Sequence, residues 1–95
     1  MSNNIKHLER DIMDCYEICK RELGYNPIRS QQMIKEHGAL NTIKKLISKR
    51  EPSEGFTTLY LAGRTELSFE YHVVKYADLF EEGEVLYCKE VLGIK

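Results

Sequence analysis

From Asn4 to Leu23 apolar side chains recur at Ile5, Leu8, Ile12, Cys15, Tyr16, Cys19 and Leu23, the three-or-four spacing of one helix face. Glu17 and Arg21 stand four apart on the opposite face, in the order that favours an ion pair, and Gly24 follows where a left-handed C-terminal cap would sit. A second helix is predicted from Asn26-Pro27 to His37. Asn26 suits the N-cap, and Pro27 suits the first helical position, where a missing N–H costs nothing. Its stripe of Ile28, Met33, Ile34 and His37 is thinner than the first, and Ser30, Gln31 and Gln32 give it a broad polar face before Gly38 closes it.

A third short helix fits Leu40, Ile43, Leu46 and Ile47, with Lys44, Lys45, Lys49 and Arg50 on its remaining positions and at its end, until Pro52 forces a break. Ser53 is placed to cap a fourth helix from Glu54 to Ala62, which would bury Phe56, Leu59 and Tyr60, could also bury Leu61, and would stop at Gly63. Thr65 or Ser68 caps a fifth, with Leu67 as the outer half of a hydrophobic staple and Phe69, Val73, Tyr76, Ala77 and Phe80 as the buried stripe. The last helix opens in Glu81, Glu82 and Glu84 and runs through Val85, Leu86, Tyr87, Cys88, Val91 and Leu92 to Gly93, apolar on nearly every side. No alternation long enough for a half-buried strand occurs. The expectation is therefore one all-α domain over residues 1–95, a bundle of five to six short helices with short connections and steeply angled or irregular packing.

Composition narrows this picture without redirecting it. A 95-residue chain has one small core to build. Its apolar share of 42% and charged share of 31% are those of a folded globular chain, not of a disordered one. The net charge of −1 argues against a uniformly basic nucleic-acid binder, yet residues 1–50 carry +4 and residues 51–95 carry −5. That polarity could steer a charged partner or favour head-to-tail self-association. Three cysteines, an odd number, and a polar opening stretch point to a reduced, cytoplasmic setting, and no apolar run approaches the ~20 residues of a membrane span.

The motifs YNP, QM and EHG between Tyr25 and Gly38, KKLI, GFTTLYLAGRTELS-x-E from Gly55 to Glu70, and LF-x-x-x-E from Leu79 resemble those of a family of small bacterial all-helical proteins. The resemblance covers Tyr25 to Leu92 and leaves out the first helix. It carries no assigned activity and so implies nothing about chemistry. The chain departs from the pattern at Ser30 and Gln31, where the family is aromatic or aliphatic, at Tyr60, where Trp is usual, and at His72, where an aliphatic residue is usual. The first departure loosens the packing expected of the second helix.

Candidate chemistry is sparse. Arg64 and Glu70 bracket the corner between the fourth and fifth helices; they could pair across it and set its angle, or Arg64 could grip an anion in a bidentate fork. Cys15 and Cys19 lie four apart on one face and could form a zinc site with Cys88, His72, His37 or His7, but a mid-helix pair on an apolar stripe is more simply two buried thiols. His37 precedes Gly38 at a helix C-terminus, where capping outweighs a general-base role. Lys44, Lys45, Lys49 and Arg50, with Arg29 and Lys35, are the one group suited to a phosphate backbone, although a solvated helix end explains them as well.

These observations imply no cofactor and no metal, and they lean away from an enzyme. The expected function is a small interaction module, an adaptor or inhibitor of bacterial or phage origin. It would bind another protein, or a second copy of itself, through Tyr71, His72, Leu86, Tyr87 and Val91 on the fifth and last helices. The alternative is a nucleic-acid accessory domain using Lys44, Lys45, Lys49 and Arg50, which the acidic second half disfavours.

Overall fold

A computed structural model describes residues 2–50 and 55–94. Among the described residues six helices follow one another: α1 (Ser2–Ile18), α2 (Ile28–His37), α3 (Ala39–Ser48), α4 (Phe56–Leu61), α5 (Phe69–Lys75) and α6 (Glu82–Leu92). No strand occurs among the described residues, so the chain is the all-α bundle its periodicity predicts. The break expected at Pro52 and the cap expected from Ser53 lie outside the described residues.

The stripe of α1 buries Leu8, Ile12, Tyr16 and Cys19. Its last turn widens into a π-type turn, Cys19–Leu23, and Gly24 stops it with φ of 63°, its N–H bonded to the Cys19 carbonyl. Only Gly38 separates α2 from α3. Its φ of 84° reverses the chain in a single residue, and a side chain there would be strained. Asn26 does not cap α2 with its side chain; its Oδ1 accepts instead from the Gln31 amide at 2.7 Å.

The hub of the bundle is α3. Ala39, Ile43 and Ile47 meet Leu8, Ile12 and Tyr16 of α1, Val73 of α5, and Cys88 of α6 in the main core, with Phe80 closing it. A smaller cluster joins Cys19, at the start of the π-type turn, to Leu59 of α4 and Leu67. The all-round apolar sequence of α6 does not make it central: Cys88 alone is buried there, and Leu86 is 52% exposed. A capping box holds its start, in which Glu81 N–H donates to the Glu84 carboxylate at 2.8 Å.

The α4–α5 corner is built from local bonds. Arg64 N–H donates to the Leu59 carbonyl at 2.8 Å and Gly63 N–H to that of Tyr60 at 3.0 Å, the bonds that close a left-handed helix end. After a 3₁₀ turn at Thr65–Leu67, Ser68 caps α5: its hydroxyl accepts from Tyr71 N–H at 3.1 Å and donates to the Thr65 carbonyl at 2.7 Å. The α5 helix ends at Lys75, earlier than its apolar spacing suggests. A second 3₁₀ turn, Ala77–Leu79, carries the chain on to Phe80 and leaves Ala77 exposed.

Candidate functional site

The α2 helix contributes no fully buried residue. Pinned to α3 by the single-residue turn at Gly38, it sends Ile34 to the edge of the main core and leaves Ile28 65% exposed. Between α2 and the body of the bundle runs a furrow of about 810 Å³. Residues 29, 30, 33, 36 and 37 line it, one face along the whole ~15 Å length of a ten-residue helix.

Its floor is apolar. Tyr16 and Phe69 meet there edge to face, 6.5 Å between ring centres, and Leu59, Leu67, Met33 and Leu46 also line the space. The Tyr16 hydroxyl, pushed up to about 12 by burial, donates to Ser30 Oγ at 3.0 Å, and Ser30 donates to the Pro27 carbonyl at 3.2 Å. This chain of bonds ties the start of α2 to α1. Ser30 thus makes a polar tether, and the furrow is what a thinly striped helix leaves open.

The rim is cationic. Arg29, Lys45 and Lys49 line it, and none of the three is ion-paired among the described residues. Glu36 is the one acidic residue of the lining among the described residues, and it lies 3.8 Å from His37. The basic run of α3 is split in two. Lys44 donates to Glu84 at 3.0 Å and lies over the Phe80 ring, while Arg50 donates to the Gly83 carbonyl at 3.1 Å and lies over the Tyr87 ring. Those two cations hold α6 to α3, so they do not form one patch with Lys45 and Lys49.

His72 is not on a partner-binding face as expected; it is 3% exposed. Its Nδ1 lies 2.7 Å from the Ser68 carbonyl, which can only accept, so the ring proton belongs on Nδ1 and Nε2 is left as an acceptor. Cys15 Sγ stands 3.6 Å from that Nε2. A thiol beside an imidazole oriented by a third group has the geometry of an activated nucleophile. The electrostatics oppose it. Burial first, then Cys19, Asp11 and Asp14, push the Cys15 thiol up to about 12, and burial also lowers the affinity of His72 for a proton. Both groups stay neutral, and the pair is an interior S–H···N contact between α1 and α5.

The remaining candidates are dispersed. Arg64 is bonded to Glu22 and Glu66, each at 2.6 Å, and not across the corner to Glu70. Those bonds pull both carboxyls below their ordinary range. The pairing reaches back to the end of α1 because Glu22 sits on its widened last turn. Glu70 is 1% exposed, on the face of α5 that packs inward. Cys88 is sealed in the main core, its thiol raised to about 12 by burial, while His7 and His37 are exposed. Among the described residues no group of three or more His, Cys, Asp or Glu side chains is placed to hold a metal ion. Tyr71 and Leu86 are exposed, and Tyr87 and Val91 are half-buried.

No helix among the described residues is long and apolar enough to cross a membrane. Comparison with family models, with curated proteins and with solved structures finds no match. The furrow is a feature the periodicity of single helices does not reveal. Its one trace in the sequence is the thin stripe of α2, broken by Ser30 and Gln31.

Proposed function

We propose that the chain is a non-enzymatic protein-interaction module, an adaptor or an inhibitor, that receives a helical segment of another protein in the furrow beside α2. The observation that carries this reading is a helix with no fully buried residue whose inner face borders a furrow floored by apolar side chains. A partner helix laid there would complete the burial of Met33 and Leu46, the groove mode of peptide recognition. Arg29, Lys45 and Lys49, which make no ion pair among the described residues, select for acidic flanks on that segment. The contact surface thereby moves from the outer faces of α5 and α6 to the opposite flank of α3. An enzymatic role for Cys15 and His72 has no support, since the thiol is held protonated.

Selection from a displayed library of helical peptides tests the reading. Wild-type protein should enrich sequences with apolar residues at helical spacing and Asp or Glu beside them, and Met33→Asp should abolish the enrichment. Equal enrichment by wild type and Met33→Asp would sink the proposal. The nucleic-acid alternative is weakened by the internal use of Lys44 and Arg50. A salt-dependent shift of labelled RNA or DNA, lost in Lys45→Glu/Lys49→Glu, would restore it.

A further inference from the structure

The chain carries a segment of the kind its own furrow would take. On α6 the exposed positions are Glu82, Gly83, Leu86 and Glu90, so Glu82, Leu86 and Glu90 form a row four residues apart with the apolar side chain at its centre. No basic residue is among those exposed positions. At eleven residues α6 is ~16 Å long, and the α2 wall of the furrow is ~15 Å.

The two surfaces lie on different flanks of α3. Lys44 and Arg50 reach toward α6, to Glu84 and the Gly83 carbonyl, while Lys45 and Lys49 line the furrow. A molecule therefore cannot fold its own α6 face into its own furrow; a second copy can bring it. The side chains at the two places are of opposite sign, Arg29, Lys45 and Lys49 at the furrow against Glu82 and Glu90 on α6.

We infer that the furrow of one molecule receives the Glu82–Leu86–Glu90 face of α6 from a second copy, with Leu86 over the apolar floor and the two carboxylates against Lys45, Lys49 and Arg29. This rests on the reading of the furrow as a receptor for helical segments and adds a regulator of it: the protein at high concentration occludes its own site. The contact is heterologous, because furrow and α6 are different surfaces. Each added molecule leaves one free furrow and one free α6 face at the two ends, so the assembly extends unless its rotation closes a ring.

Sedimentation velocity on the full chain tests this with two surface variants, Leu86→Asp, which spoils the α6 face, and Lys45→Glu/Lys49→Glu, which spoils the furrow. The three substituted positions are exposed, and unchanged circular dichroism would confirm the fold. Wild type should grow in mass from low to high micromolar concentration and return to monomer at about 1 M salt, where charges are screened beyond ~3 Å. Each variant alone should remain a monomer. An equimolar mixture should give a dimer and nothing larger, since one furrow and one α6 face survive between them. The inference is overturned by wild type that stays monomeric at high micromolar concentration, by association that either variant retains, or by a mixture that stays monomeric. Should wild type remain monomeric yet still select acidic helical peptides in a Met33-dependent manner, only the self-association falls. Loss of both would remove the receptor reading as well.

Discussion

Truncating Ile43 and Met33 in turn tests whether α2 is a bordering wall or part of the core. Ile43 is fully buried where α1, α3, α5 and α6 meet, so Ile43→Ala leaves a cavity that rigid neighbours cannot collapse. Removing a buried aliphatic side chain to Ala costs about 2–5 kcal/mol. In a domain of this size each kcal/mol lowers Tm by about 4–8 °C, so the variant should melt roughly 8–40 °C below wild type. Met33 lines the furrow and is only partly buried, so the water that replaces its side chain enters an already wet groove. Met33→Ala should cost about 1 kcal/mol or less, within reach of ordinary surface substitutions. Urea titrations followed by far-ultraviolet circular dichroism would measure both, with the slopes checked so that midpoints report stability. Equal losses from Met33→Ala and Ile43→Ala would refute the reasoning, because α2 would then be packed as a core helix and no open furrow could lie beside it.

Three further outcomes follow from the electrostatics. With its thiol raised to about 12, Cys15 holds roughly one part in 10⁵ as thiolate at pH 7, so iodoacetamide should label it far more slowly than a free cysteine; rapid modification mapped to Cys15 would contradict the neutral thiol–imidazole pair. His72 binds a proton less readily folded than unfolded, with Asp11 and Lys75 as its charged neighbours. Its share of stability is therefore full above about pH 6.5 and declines as the pH falls from there through the lower folded value, by no more than about 1.4 kcal/mol per pH unit. A His72→Gln variant should flatten that part of the urea-midpoint profile, and an unchanged profile would rule His72 out as its source. Arg64→Ala should leave the urea midpoint almost unmoved at neutral pH, since its partners Glu22 and Glu66 are water-exposed; a drop as large as that of Ile43→Ala would mean that Arg64 is a buried anchor.

The individual helices and their ends are set by the sequence through near-neighbour physics. Apolar residues three and four apart place Leu8, Ile12 and Tyr16 on one face of α1; Gly24 and Gly63 adopt the left-handed turn that ends a helix; Ser68 and the Glu81–Glu84 box satisfy N–H groups within one turn. Each of these depends on residues less than one or two turns apart, so no tertiary context is needed to read them.

Only the assembled fold decides which faces meet. Periodicity shows that α6 is apolar but not that α5 and α3 cover one side of it, leaving Leu86 in water, nor that the shorter α3 is the hub. His72 reads as a polar intrusion on a helix until Cys15, 57 positions away, is seen beside it. Arg64 finds Glu22, 42 positions distant, in place of Glu70. The furrow itself is a space between elements, created because α2 turns away at Gly38 with too little apolar surface to be drawn in. Helix formation is local and leaves its mark in spacing, whereas packing joins residues far apart in the chain, which spacing does not record.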